Sequence, residues 1–87
     1  MKIVINTCFG GFSIKKSIAD EYGFSTYRES RTNKKLIELI ESGIDCDGAY
    51  AHLSVKEIPD DATDYYIIEN DGAEEIMYVV NGKIHFL

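Results

Sequence analysis

Tyr65-Tyr-Ile-Ile-Glu-Asn-Asp-Gly-Ala-Glu-Glu-Ile-Met-Tyr-Val-Val-Asn-Gly-Lys-Ile-His-Phe-Leu87 decides the fold of this chain. Three runs rich in β-branched and aromatic residues are separated by Asp71-Gly72 and Asn81-Gly82. Both dipeptides suit two-residue hairpin loops, whose two central residues take positive φ. Such loops set a register. Val80 stands opposite Lys83, Tyr78 opposite His85 and Ile76 opposite Leu87; Asn70 stands opposite Ala73, Ile67 opposite Ile76 and Tyr65 opposite Tyr78. Alternation then sorts the meander into two faces. One carries Tyr66, Ile68, Met77, Val79, Ile84 and Phe86, and we expect it to pack on helices. The other carries Tyr65, Ile67, Ile76, Tyr78, His85 and Leu87, with Glu69 and Glu74 near its end. It too is largely apolar, so something is expected to cover it: a second subunit, a partner, or a ligand stacked on Tyr65 and Tyr78. Self-association is the simplest cover, which makes those six residues the candidate interface of a homo-oligomer.

Upstream, Ala51, Leu53 and Val55 alternate with His52, Ser54 and Lys56 in a further strand that Pro59 closes. Thr32 or Asn33 caps a helix through Ser42, with Leu36, Ile37, Leu39 and Ile40 as its apolar stripe and Gly43 as its stop. Ser13 is placed to cap a shorter helix to about Tyr22, ended by Gly23, with Ile14, Ile18 and Tyr22 on one face. Lys2 to Asn6 reads as the first strand. The fold class is therefore α+β: two short helices packed on a mainly antiparallel sheet, in the order β-α-α-β-β-β-β.

At 87 residues, 45% hydrophobic and 28% charged, the chain is expected to be one small ordered domain over 1–87. No apolar run is long enough for a membrane span, and no basic stretch leads into an apolar one as in a secretory signal. A cytoplasmic protein without a membrane partner is expected. Net charge is −6 and unevenly spread. Residues 1–35 hold seven basic and three acidic side chains, and residues 36–87 hold two and twelve. The acidic excess argues against duplex DNA, which needs a broad positive surface. It leaves room for a small anion near the N-terminal third and for a basic protein partner on the acidic remainder.

The best candidate anion site is the turn Gly10-Gly11 with Ser13, Lys15 and Lys16. Strand, glycine turn and helix start can present backbone N–H groups, a positive dipole end and two ammonium groups to a phosphate. The same residues equally suit a structural turn with close backbone packing. A P-loop is excluded: its second glycine position holds Lys15, and that site belongs to a much larger parallel-sheet domain. Arg28, Arg31, Lys34 and Lys35 gather at the second helix's start, where Tyr27 could stack a base; an exposed basic helix end is the plainer reading. Asp45-Cys-Asp-Gly48 lacks the ligand spacing of a calcium loop. Cys8, Cys46, His52 and His85 match no zinc spacing, and two scattered cysteines suit reduced thiols. Neither a catalytic group nor a metal or cofactor site is assigned. Cys8 beside the glycine turn is the one thiol placed for activation, without an evident base.

Met1-Lys-Ile-Val-Ile-Asn-Thr-Cys-Phe-Gly-Gly-Phe12 resembles the start of a family of small proteins found in tailed bacteriophages and bacterial genomes. Glu57-Ile-Pro-Asp-Asp61 and Glu69-Asn-Asp-Gly72 resemble its later landmarks, with Asn70 where a Tyr is often found. Lys83 to Leu87 departs from the charged, Trp-ended tails of that family. The resemblance implies a phage or bacterial setting and no particular activity. In such a setting small non-catalytic proteins often act by occupying a host defence protein or a nucleotide signal. The leading expectation is a non-enzymatic accessory protein that sequesters a small phosphate-containing ligand. Gly10, Gly11 and Ser13 would give backbone access, Lys15, Lys16, Arg28 and Arg31 charge, and Tyr27 stacking. The competing expectation is a protein–protein inhibitor that acts on a host protein through acidic residues around Asp60, Asp61 and Asp64.

Overall fold

The computed structural model describes all 87 residues. The elements run β1 (Lys2–Asn6), α1 (Lys16–Tyr22), α2 (Lys34–Glu41), β2 (Leu53–Glu57), β3 (Asp64–Asn70), β4 (Ala73–Val80) and β5 (Lys83–Phe86). This is the expected α+β order, but the strands form two antiparallel sheets: β1–β2, and β3–β4–β5.

The β1–β2 pair is a middle layer, and β1 shows why. Val4 joins Leu53 in a cluster with Ile14, Ala19, Leu36, Ile37 and Leu39, so one face of the pair meets the helices. Ile3 and Ile5 point the other way and meet Ile58 and Ile76. A strand buried on both faces reads as an unbroken apolar run, as Ile3-Val4-Ile5 does. Full burial of Ile3, Ile5 and Ile76 stabilises the fold by about 1.5–3 kcal/mol per side chain.

The hairpin register agrees with the sequence reading at every pair named above: Tyr65↔Tyr78, Ile67↔Ile76, Asn70↔Ala73, Tyr78↔His85 and Val80↔Lys83, and Ile76 exchanges backbone hydrogen bonds with Leu87. Both loops take the required left-handed pairs, Asp71 at φ 54° with Gly72 at 91°, and Asn81 at 51° with Gly82 at 75°.

The faces are the reverse of the expectation. Ile76 is fully buried, and Ile67 and Tyr78 pack on the same Ile3–Ile5–Ile58 cluster. The face assigned to a second subunit is thus covered in part by this chain's own β1, while Tyr65, His85 and Leu87 stay exposed at its far side. The face expected to meet the helices turns outward, leaving Tyr66, Ile84 and Phe86 more than half exposed. The physical reason is Glu74, which shares Ile76's face. Its carboxylate accepts the Asn6 N–H of β1 and is clasped by Arg31, so that face must turn inward.

The first helix also starts later than expected. Ser13 caps nothing: its hydroxyl donates to the Ala49 carbonyl at 3.4 Å, and the side chain is buried. Ile14 bridges Asp47, and Lys15 N–H donates to the Cys46 carbonyl, so this segment is extended. α1 begins at Lys16 without a side-chain cap and ends at Gly23, at φ 74°. Asn33, by contrast, caps α2 as expected. Its Oδ1 accepts from the N–H groups of Lys35 and Leu36, worth about 1 kcal/mol.

Candidate functional site

The glycine turn is built into the fold from both sides. A Cβ on Gly10 would run into the Tyr50 carbonyl oxygen, and one on Gly72 would run into the backbone nitrogens of Gly11 and Gly10. The turn therefore lies against the β3–β4 hairpin loop, with its N–H side towards Gly72. Asn6 joins the two. Its Nδ2 donates to the carbonyls of Cys8 and Gly72, both at 2.7 Å, and its Oδ1 accepts from the N–H groups of His52 at 2.8 Å and Cys8 at 3.3 Å. A wholly buried Asn with every polar site used is a structural clamp. Close backbone packing is what this turn does, and the start of α1 stands apart from it.

Arg31 is likewise engaged. Its guanidinium makes paired 2.7 Å hydrogen bonds to Glu74, donates to the Val4 carbonyl at 3.2 Å, and lies 4.4 Å from the centre of the Phe12 ring. The Glu74 side chain is only 4% exposed. Arg31 is half-buried and its charge is already matched by Glu74.

Of the eight residues assigned to an anion, Ser13, Lys15, Lys16 and Tyr27 do come together. They line an open cleft of about 440 Å³ that also includes Asp47 and Gly48. Gly10, Gly11, Arg28 and Arg31 are not part of it. Both lysines already have carboxylate partners, Lys15 with Asp45 at 2.9 Å and Lys16 with Asp20 at 2.8 Å. The Lys15 hydrogen bond, followed by the N–H of Asp47, holds the Asp45 carboxyl below the usual carboxylate range. The hydrogen bond to Asp20 raises Lys16 above its ordinary value. An arriving phosphate would compete with these carboxylates for the two ammonium groups. The largest hollow, about 730 Å³ between α2 and the β1–β2 pair, is floored by Ile37 and flanked by Lys2, Lys34, Glu38, Glu41 and Glu57. It contains none of the assigned residues.

Chemistry is sparse. His52 Nδ1 lies 3.3 Å from Asp47 on an exposed loop, with no nucleophile aligned by a hydrogen bond. No group of three His, Cys, Asp or Glu side chains converges as a metal set would. Cys8 is exposed and Cys46 buried, and burial pushes the Cys46 thiol up from its ordinary value.

The most distinctive surface is the outer face of β3–β4–β5. Tyr66 is 53% exposed, Ile84 and Phe86 are 61% exposed, and Met77 and Val79 lie half-buried between them. Cross-strand pairing makes the patch continuous, since Met77 stands opposite both Tyr66 and Phe86, and Val79 opposite Ile84. At its far end Ile68 shares a shallow hollow of about 260 Å³ with Phe9, itself 75% exposed. Two exposed carboxylates share this face at its margins, Asp64 opposite Val79 and Glu75 opposite Ile68. Sequence reasoning named the six residues of this face but turned them inward. The signal that could have corrected it is Glu74, the charged residue whose burial needs a partner.

No family model matches this chain, and neither a curated protein nor a solved structure matches it. No helix is long and apolar enough to cross a membrane.

Proposed function

We propose that this protein is a non-enzymatic binding module that engages a protein partner on the outer face of β3–β4–β5. The observation that carries this reading is the continuous apolar patch of Tyr66, Ile68, Met77, Val79, Ile84 and Phe86, open to solvent on a small acidic protein. The largest apolar patches on typical monomers reach about 300–600 Å² and are often functional. An acidic edge around an apolar centre suits a target with the opposite arrangement, a basic rim around apolar side chains. The resemblance of residues 1–12 to phage proteins supports a host protein as that target, which makes the module an inhibitor by occupation. Affinity capture from host lysate tests the reading with wild-type protein beside a Tyr66→Ser, Met77→Ser variant and an Asp64→Lys, Glu75→Lys variant. A target held by wild type and lost with both variants is expected. Identical captures by all three would overturn it.

A second reading keeps a small phosphate-containing ligand, now at the Ser13–Lys15–Lys16–Tyr27 cleft. The gathering of those four residues around one cavity supports it. Its test is thermal melting with a panel of linear and cyclic nucleotides. Stabilisation that disappears in Lys16→Ala is the expected result, and a melting curve unmoved by every nucleotide ends this reading.

A further inference from the structure

The two edges of the β3–β4–β5 sheet are unequal. Antiparallel ladders alternate, so every second residue of an outer strand directs its N–H and C=O away from the sheet. Leu87 and Ile76 exchange both backbone hydrogen bonds, at 2.9 and 3.1 Å. By alternation His85 and Lys83 also bond inward to β4, which leaves Ile84 and Phe86 with their backbone groups pointing outward. Every residue of β5 is exposed. Apolar side chains project from both of its faces, Ile84 and Phe86 on one and Leu87 on the other.

Proteins ordinarily protect such an edge with charge, proline, a bulge or a covering element. The β3 edge has that protection in Asp64 and Glu69. On the middle layer, β2 has Lys56 and Glu57, and its Leu53 N–H is taken by Asp47. β5 has a single lysine at its start and no acidic residue. In a chain of net charge −6, where copies repel one another, it is the acid-free strand of its sheet.

We propose that β5 pairs with β5 of a second copy, antiparallel about a two-fold axis at His85, so that two sheets join into one of six strands. This register uses both outward-facing residues: Ile84 of one copy exchanges N–H···O bonds with Phe86 of the other, twice over by symmetry. His85 meets His85, and Lys83 stands opposite Leu87. The dyad makes the contact self-complementary and closed, so it stops at two copies. The two outer apolar faces become one continuous face. The pairing is made by the strand's backbone edge, and of the docking face above it shares only Ile84 and Phe86.

The edge is short. With Ile84 and Phe86 as its main side chains it buries roughly 800–1,000 Å² in total, the low end for specific interfaces, and a dissociation constant of about 1–100 µM is expected. Sedimentation velocity on the full chain from about 1 µM to about 500 µM, which brackets that range, should show mass rising towards twice the monomer. Hydrogen exchange should show Ile84 and Phe86 amides gaining protection as concentration rises. Raising salt from about 0.05 M to about 0.5 M should tighten the dimer, because it screens repulsion between like-charged copies. Phe86→Lys and Ile84→Pro should each weaken it at least tenfold. The Ile84 N–H is unused within the monomer, so Ile84→Pro should leave the melting of dilute protein nearly unchanged, which separates lost pairing from lost folding. A monomer across the whole concentration range overturns the proposal. So does a dimer that both variants leave intact, or one whose new protection falls on β2 or β3. Tyr66→Ser, Met77→Ser should lose the captured partner yet keep the dimer, so the two readings fail separately.

Discussion

The Arg31 guanidinium and the Glu74 carboxylate meet side by side, Nη1 to Oε1 and Nη2 to Oε2 both at 2.7 Å, across 43 residues of sequence. This pair ties the loop before α2 to the start of β4. It also determines which face of the meander is interior, because Glu74 and Ile76 project from the same side.

Glu74→Gln leaves a partly buried guanidinium without its counter-charge, and should destabilise the protein by about 3–5 kcal/mol. Replacing both groups, as Arg31→Met with Glu74→Leu, removes the charges together and should recover much of that loss. Recovery will be incomplete, because Asn6 N–H also donates to Glu74 at 2.7 Å and is then orphaned at about 1–3 kcal/mol. Urea melts of Glu74→Gln, of Arg31→Met and Glu74→Leu singly, and of the double variant check this. A fully additive cycle would show that the pair is not coupled.

Asn6→Asp should be worse than Asn6→Ala. Nδ2 donates to two carbonyls, and a carboxylate oxygen there would face both while sitting beside Glu74. Asn6→Ala should cost about 3 kcal/mol or more through unpaired backbone groups. Asn6→Asp should prevent stable folding near neutral pH. Circular dichroism melts of the two variants decide the order.

Two hairpin glycines with similar backbone angles should respond differently. Gly82 has open space where a Cβ would go, so Gly82→Ala carries only the strain of positive φ, about 1 kcal/mol. Gly72→Ala adds a collision with the Gly10–Gly11 backbone and should cost several times as much. Equal shifts in melting temperature would mean that the two loops do not press on one another.

The two thiols should separate cleanly. Cys8 should label rapidly with a maleimide in the native state, and Cys46 only on unfolding. Burial raises the Cys46 pKa, so the folded state favours its protonated thiol. Its contribution to stability is therefore fully present below the unfolded value, near 8.5, and declines as pH rises from there towards the folded value. Cys46→Ser should flatten that alkaline decline, measured by melting at pH 7 against pH 10. An unchanged decline would assign it to other groups.

Local signals were enough for the elements. Asn-Gly and Asp-Gly need positive φ at both loop positions, so they stated where the meander turns, and period-2 alternation then gave its register. Asn33 before Leu36 and Ile37 signalled the start of α2. Ser13 misled, because its hydroxyl had a distant alternative in the Ala49 carbonyl, and 13–15 were drawn into an extended docking against 46–48. The cations of the expected anion site show the same limit of local reading. Spacing along the chain does not show that Arg31, Lys15 and Lys16 each meet a carboxylate, two of these, Glu74 and Asp45, far along the chain.

The sequence by itself determined the α+β order, the turns and the pairing of Tyr65 with Tyr78 and of Ile67 with Ile76, all consequences of neighbours within a hairpin. Only the tertiary structure decided which face of that hairpin is core. Both faces are apolar enough to be buried, so hydrophobicity leaves the choice nearly balanced. One buried carboxylate tips it, since Glu74 can leave water only where Arg31 and the Asn6 N–H wait for it. That choice leaves Tyr66, Ile84 and Phe86 exposed on the outer face.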